Sequence, residues 1–236
     1  MDQRLQTIVD NFDRMKIELD TPFKFHCTQC GKCCINREDI MLSPFDLFRA
    51  SKELGMTPQD FVKAYCETYL GESSRMPIVR ILPRGSIKRC PLMKDRKCSI
   101  HKSKPTVCAM FPIGRVLRIE ADKLDEKPVS ADQIEYIFTY PGCGDNSETH
   151  TVREWLGAFG IPLQDEFFAK WQDVVLHLGT MIQKCIDQFS EKTVNRVITL
   201  AFVKLYLDYD TNKDFLPQFV ANTGFIQELM QLMPRA

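Results

Sequence analysis

Residues 27–34 read CTQCGKCC, four thiols in eight positions with the last two adjacent. Thiolates act as nucleophiles, as redox groups or as ligands for soft metals, and their spacing and surroundings decide among these roles. The chain carries ten cysteines, and the six outside this run are of two kinds. Cys90, Cys98, Cys108 and Cys143 sit among turn formers and charges, in RCPLMKDRKCSIHKSKPTVC and YPGCG, where a loop can present sulfur to a ligand. Cys66 and Cys185 instead follow apolar stripes, Val62, Tyr65 and Tyr69 for the first and Val174, Leu178 and Met181 for the second. Small cysteines pack well on such faces, so both are expected in a core.

Eight ligand candidates remain: Cys27, Cys30, Cys33, Cys34, Cys90, Cys98, Cys108 and Cys143. Eight is two sets of four, the usual thiolate number of a zinc site or an iron–sulfur cluster. Side chains of adjacent residues diverge in helix and strand alike, so Cys33 and Cys34 serve different metals, or one of them is not a ligand.

The chain resembles the CxxCxxCC cysteine-cluster family, also called YkgJ-like, whose members are described as zinc- or iron-chelating domains. The resemblance runs through CTQCGKCC at 27–34, CPLMKDRKCSIHKSKPTVCAMFP at 90–112 and the late Cys143, about residues 25–145. The segment IMLSPFDLFRASKELGMTPQDFVKAYC is also similar to family members. One branch looks like flagellin lysine N-methylases, so the resemblance implies a metal site and, for that branch, protein lysine methylation. No glycine-rich loop follows a strand here, as a Rossmann-type cofactor site would need.

Metal identity is weighed on ligand type and spacing. C-x2-C-x2-C matches the first three ligands of a bacterial-type ferredoxin, and Pro91 follows Cys90, but the fourth cysteine is not at the ferredoxin position. Only one C-x-x-C pair opens the pattern and the later thiols come singly, which counts against a zinc ribbon. An iron–sulfur cluster of the 4Fe–4S type is therefore favoured over zinc, in a metalloprotein with one or two centres engaged in redox or methyl-transfer chemistry. The alternative is a zinc-chelating or zinc-stabilised interaction protein without catalysis.

Either occupant, ringed by four thiolates, carries a net charge of about −2. Between Arg84 and Lys104 lie eight basic residues, Arg84, Lys88, Arg89, Lys94, Arg96, Lys97, Lys102 and Lys104, against the single acid Asp95. Their expected work is to offset thiolate charge and donate hydrogen bonds to sulfur. No aromatic residue interleaves them to stack on bases, which argues against nucleic acid as the partner. His26 and His101 flank cluster cysteines and are expected as hydrogen-bonding neighbours of the ligands, with His150 and His177 structural.

The elements that must hold these thiols follow from periodicity and punctuation. Leu5, Ile8, Val9, Phe12, Met15 and Leu19 predict a helix over 4–19, ended by Thr21-Pro22. Ser43-Pro44 and Thr57-Pro58 each pair an N-cap residue with proline at the first helical position. They predict helices near 44–54 and 58–70, packed as a hairpin with Gly55 as the stop between them. MPIVRILP (76–83), IGRVLRIE (113–120) and EYIFTY (135–140) read as strands of one small sheet. From about residue 149 the pattern turns helical, and the aromatic stripe Trp155, Phe159, Phe167, Phe168 and Trp171 is expected in the core.

The fold class is thus α+β and mostly helical, with a cysteine-cluster metal-binding domain at 1–148 and a helical region at 149–236 that can share its core. Formal charge is zero, 31 basic against 31 acidic residues, so no global field draws the chain to nucleic acid or a membrane surface. No run of about 18 apolar residues occurs. A cytoplasmic protein is expected, where dense cysteines mark metal or redox chemistry rather than a disulfide framework. Its partner, protein or small molecule, is not named by the sequence.

Overall fold

Proline and a capping side chain start the two best-defined helices, as shown by a computed structural model that describes residues 10–35, 39–72, 74–117 and 128–231. Ser43 Oγ accepts the Asp46 N–H at 3.1 Å while the Asp46 carboxylate accepts the Ser43 N–H at 3.1 Å, a closed capping box before helix Pro44–Glu53. Thr57 Oγ1 accepts the Asp60 N–H at 3.1 Å before helix Pro58–Tyr65. Gly55 at φ +62° ends the first of these, with its N–H on the Lys52 carbonyl and the Met56 N–H on the Ser51 carbonyl. That pair of bonds is a Schellman closure, which needs the left-handed residue glycine supplies.

Nine short strands are present among the described residues: β1 Lys16–Ile17, β2 Phe23–His26, β3 Cys66–Leu70, β4 Pro77–Ile81, β5 Met93–Lys94, β6 Lys97–Cys98, β7 Ile113–Leu117, β8 Ile134–Phe138 and β9 Asp145–His150. They form one three-stranded antiparallel sheet, β1-β8-β7, and three two-stranded ribbons, β2-β9, β3-β4 and β5-β6. With the long helices Glu166–Gln188, Glu191–Phe202 and Phe215–Gln231, the fold is α+β and mostly helical.

Four local expectations are corrected. The first helix is Phe12–Met15 among the described residues, because Lys16 and Ile17 pair with Ile137 and Tyr136 of β8; its expected part at 4–9 lies outside them. The helix expected over 58–70 stops at Tyr65, and Cys66–Leu70 pairs in register with Pro77–Ile81, whose β-branched run needs an edge partner. The strands at 76–83 and 113–120 belong to different sheets, and residues 118–120 lie outside the described ones. The polar residues 145–150, which span the boundary expected after residue 148, form strand β9.

The chain divides into two compact units, each built from two segments: residues 1–33 with 106–170, and residues 34–105 with 171–236. Unit 1 centres on Ile17, Phe23, Phe25, Met110, Ile113, Tyr136, Val152 and Leu156. The Trp155 indole N–H donates to the Met110 carbonyl at 2.9 Å, and its ring meets Phe25 edge-on at 5.5 Å. This places a bulky aromatic against the strand that leads into the cysteine loop. The Tyr136 hydroxyl donates to the Leu163 carbonyl at 2.7 Å.

Unit 1 also buries a charge pair. Arg115 Nη1 donates to Asp165 Oδ2 at 2.6 Å, with side-chain exposures of 10% and 14%, and the guanidinium lies 3.7 Å from the Phe168 ring centre. Asp165 Oδ1 accepts the Phe168 N–H at 2.9 Å, capping the helix that begins at Glu166. Asp165→Ala therefore leaves a buried cation without its partner and uncaps a 23-residue helix. It is expected to cost about 3–5 kcal/mol in urea unfolding, and Asp165→Asn less because the cap survives. A loss under about 1 kcal/mol for the alanine variant would show that water screens the pair.

Unit 2 is held by Leu47, Phe48, Phe61, Met76, Val79, Ile182, Leu205 and Phe219, all buried. An aromatic stack runs through Tyr209, Phe215 and Phe219 at 5.2 and 5.6 Å, and Trp171 meets Tyr206 at 5.9 Å. Cys185 is buried on helix Glu166–Gln188, as its stripe predicts, and burial raises its thiol pKa. Among the described residues no helix is long and apolar enough to cross a membrane.

Candidate metal centre

None of the ten cysteines is in a disulfide. In unit 1, strand pairing brings the chain segments that carry Cys27 and Cys143 to one end of a ribbon, and Cys30 and Cys33 lie on the loop that follows. His26 opposes Asp145 across the β2-β9 ribbon, with a register shift between Lys24 and His26. Cys27 directly follows β2 and Cys143 lies two residues before β9, so the two thiols leave the ribbon at the same end. The loop after Cys27 then turns back twice through left-handed residues, Gln29 at φ +52° and Gly31 at φ +74°. A 3-10 turn, Lys32–Cys34, closes it.

The sulfur of Cys30 collects donors. The backbone N–H groups of Lys32 and Gly144 and the Thr28 hydroxyl all hydrogen-bond to it, and these bonds lower its pKa, Lys32 contributing most. Donors aimed at one sulfur are what an anionic thiolate needs, and they are the kind of outer-shell contact that tunes a thiolate-bound metal. Cys143 responds in the opposite sense. Burial and then the charges of Cys33, Cys30 and Cys27 push its thiol up to about 11, and it shares a hydrogen bond with Cys30.

These influences place Cys143 within electrostatic range of Cys27, Cys30 and Cys33, and Cys30 within range of Cys33. Hydrogen bonding favours the thiolate at Cys30, whereas burial and neighbouring charge favour the thiol at Cys143, a penalty that a bound cation would offset. Among the described residues no three His, Cys, Asp or Glu side chains converge on one point at ligand geometry. The thiols of Cys27, Cys30, Cys33 and Cys143 nevertheless fit a metal by their chemistry: four soft donors on one loop-and-ribbon end, with one sulfur already solvated by N–H groups.

Gly144 makes this packing possible. At φ +70° it lies where a Cβ would strike the His26 carbonyl and the Phe25 ring. His26 itself has Nδ1 at 3.1 Å from Ser147 Oγ and 3.4 Å from Asp145 Oδ1, and Nε2 at 3.7 Å from Glu148 Oε1. Glu148 Oε2 in turn lies 3.3 Å from His150 Nε2. His26 and His150 thus brace the ribbon through carboxylates.

Unit 2 carries Cys34, Cys90 and Cys98. The Cys90 N–H donates to the Cys34 carbonyl at 2.9 Å, and the Cys90 carbonyl accepts the Met93 N–H at 3.1 Å. From there the chain enters the β5-β6 hairpin, whose turn residues Asp95 and Arg96 have φ +49° and +63°. Two consecutive left-handed residues suit a tight two-residue hairpin, which folds Cys98 back opposite Met93. The Ser99 N–H on the Leu92 carbonyl, at 2.9 Å, holds that return. Most of the surrounding basic side chains, Arg84, Lys88, Arg89, Lys94, Arg96, Lys97 and Lys102, are exposed. Arg84 donates to the Ala64 carbonyl and Arg89 to the Met93 carbonyl, each at 2.7 Å.

Cys108 is half-buried on the short helix Thr106–Met110 in unit 1, which leads to Phe111 and its edge contact with Phe25. His101 sits on a 3-10 turn in unit 2, where burial and the charge of Lys104 lower its pKa. Cys66 is half-buried at the start of β3, not on a helix face. Burial and the charge of Cys90 push its thiol up to about 12. Helical periodicity places Cys66 in a core, and what separates it from Cys185 is the pairing of Cys66–Leu70 with Pro77–Ile81, which no local signal announces.

Residues 26–131 match the family model CxxCxxCC, described as "Putative zinc- or iron-chelating domain". Neither a curated protein nor a solved structure matches the chain.

Proposed function

We propose, from the match of residues 26–131 to the family model of a zinc- or iron-chelating domain, that this protein holds two thiolate-ligated centres and that its work is one-electron redox chemistry at an iron–sulfur cluster. The first centre uses Cys27, Cys30, Cys33 and Cys143; the second draws on Cys34, Cys90 and Cys98. Cys108 is kept as a further candidate thiol. The observation that carries the reading is the unit 1 quartet: three cysteines at C-x2-C-x2-C spacing joined by one remote cysteine, with N–H donors on the Cys30 sulfur. Three local thiols plus one remote thiol is the way each cluster of a two-cluster ferredoxin is held.

When bound, an iron–sulfur cluster supplies an electron acceptor and donor whose potential depends on hydrogen bonds to its sulfurs. Lys32 and Gly144 N–H and the Thr28 hydroxyl orient and stabilise the Cys30 sulfur, and Phe25, Phe111 and Trp155 pack beside the strand that carries the loop. Basic residues between Arg84 and Lys104 offset the negative charge that a second centre would bring.

Protein purified without oxygen is expected to contain iron and acid-labile sulfide in stoichiometric amounts, with a broad absorption near roughly 400 nm from thiolate-bound cluster. Colourless protein carrying zinc and no sulfide would overturn the iron–sulfur assignment and leave a zinc-stabilised module.

A further inference from the structure

We infer that Cys66 is a metal ligand, completing with Cys34, Cys90 and Cys98 the four-thiolate set of unit 2. The inference rests on the second centre proposed above and names its missing fourth donor.

Backbone hydrogen bonds stitch the segments that carry Cys66 and Cys90 to one stretch of chain. Cys66 opposes Ile81 at the open end of the β3-β4 ribbon. The residue before it, Tyr65, accepts the Leu82 N–H at 2.9 Å, and the residue before that, Ala64, accepts a bond from the Arg84 guanidinium at 2.7 Å. Arg84 and Arg89 exchange both backbone hydrogen bonds at 2.8 Å, closing a loop through Gly85 at φ +72° and Lys88 at φ +47°. Residues 65 and 89 are therefore tied to positions 82 and 84, two residues apart on one stretch of chain. Cys66 and Cys90 each emerge one residue beyond those ties, and their thiols lie within electrostatic range of each other. The Cys90 N–H continues the stitching to Cys34, and the hairpin 93–98 returns Cys98 to it.

A purely structural role explains less. A core cysteine is expected to be buried among aliphatic side chains, as Cys185 is at 6% exposure. Cys66 is half-buried at the first residue of β3 and lies within electrostatic range of the Cys90 thiol. Without a metal, two close thiols gain little from each other; with one, both become ligands at about 2.3 Å.

The test uses the full chain, loaded with zinc and separately with cobalt(II). Wild type is expected to bind two equivalents. Cys66→Ser and Cys90→Ser are each expected to lose one, with a matching drop in the cobalt–thiolate charge-transfer band, whereas Cys185→Ala keeps both. In wild type, the rate of Cys66 alkylation by iodoacetamide, followed by mass spectrometry, is expected to rise several-fold on chelation. That readout holds even where a variant misfolds. If Cys90→Ser loses an equivalent while Cys66→Ser keeps two and Cys66 alkylation ignores chelation, the inference falls and the second centre stands. If wild type binds fewer than two equivalents, the two-centre reading itself falls.

Discussion

Cys30→Ser is expected to abolish the first centre, lowering metal content by one equivalent and loosening the segment between β2 and β9. Serine keeps the size and a hydroxyl but replaces a soft thiolate with an oxygen that stays protonated near neutral pH, a poor ligand for zinc or iron–sulfur clusters. The three donors now aimed at this sulfur, Lys32 N–H, Gly144 N–H and Thr28 hydroxyl, lose the anion they stabilise. Structural zinc in small domains contributes about 10–16 kcal/mol of apparent binding free energy to folding, so loss of one ligand is felt as stability as well as stoichiometry. Metal analysis paired with thermal unfolding reads both. Full metal content and an unchanged Tm in Cys30→Ser would remove Cys30 from the ligand set and with it the quartet.

Cys27→Ser is expected to have the smaller effect on the proposed centre. Cys27 is the exposed member of the group, whereas Cys30 has its hydrogen-bond shell already built. The pH dependence follows from the same geometry. A thiol whose folded pKa is raised stabilises the metal-free fold below its ordinary value near 9 and loses that contribution as pH climbs towards about 11, the case for Cys143. Metal reverses the sign, because a bound cation takes the place of the proton.

Features announced by one or two residues with a strong local rule were legible in the sequence. Ser43-Pro44 and Thr57-Pro58 fixed two helix starts because cap and proline act before any tertiary contact forms. Gly55 marked a stop for the same reason. The division between the two compact units falls between the adjacent Cys33 and Cys34.

Elements decided by a distant partner were not legible. The strand Cys66–Leu70 continues a helical stripe in sequence, and only the need of Pro77–Ile81 for an edge partner converts it. Strand β9, Asp145–His150, has no apolar alternation and is exposed along nearly its whole length, so nothing in its composition separates it from a linker. Its pairing with Phe23–His26 is nonetheless what brings Cys143 to the octapeptide. The proposed site therefore depends on a strand that only the fold reveals.

Gly144→Ala is expected to do as much harm as loss of a ligand, though it removes no thiol. Two costs combine at this position. The left-handed backbone, φ +70°, charges any L-residue roughly 1–2 kcal/mol. The added methyl would also strike the His26 carbonyl and the Phe25 ring, backbone and packed aromatic that cannot swing aside. Relief requires β2 and β9 to part where His26 opposes Asp145, which carries Cys27 and Cys143 away from each other and withdraws the Gly144 N–H from the Cys30 sulfur. Gly142→Ala is the internal control: its φ is +56° but a Cβ there meets open space, so only the backbone cost of about 1–2 kcal/mol applies. Metal content and Tm measured on both are expected to separate them, with Gly142→Ala near full occupancy and Gly144→Ala losing an equivalent along with more than about 4 kcal/mol, the range that marks a specific structural fault. Equal behaviour of the two variants would mean that the β2-β9 approach does not hold the quartet together.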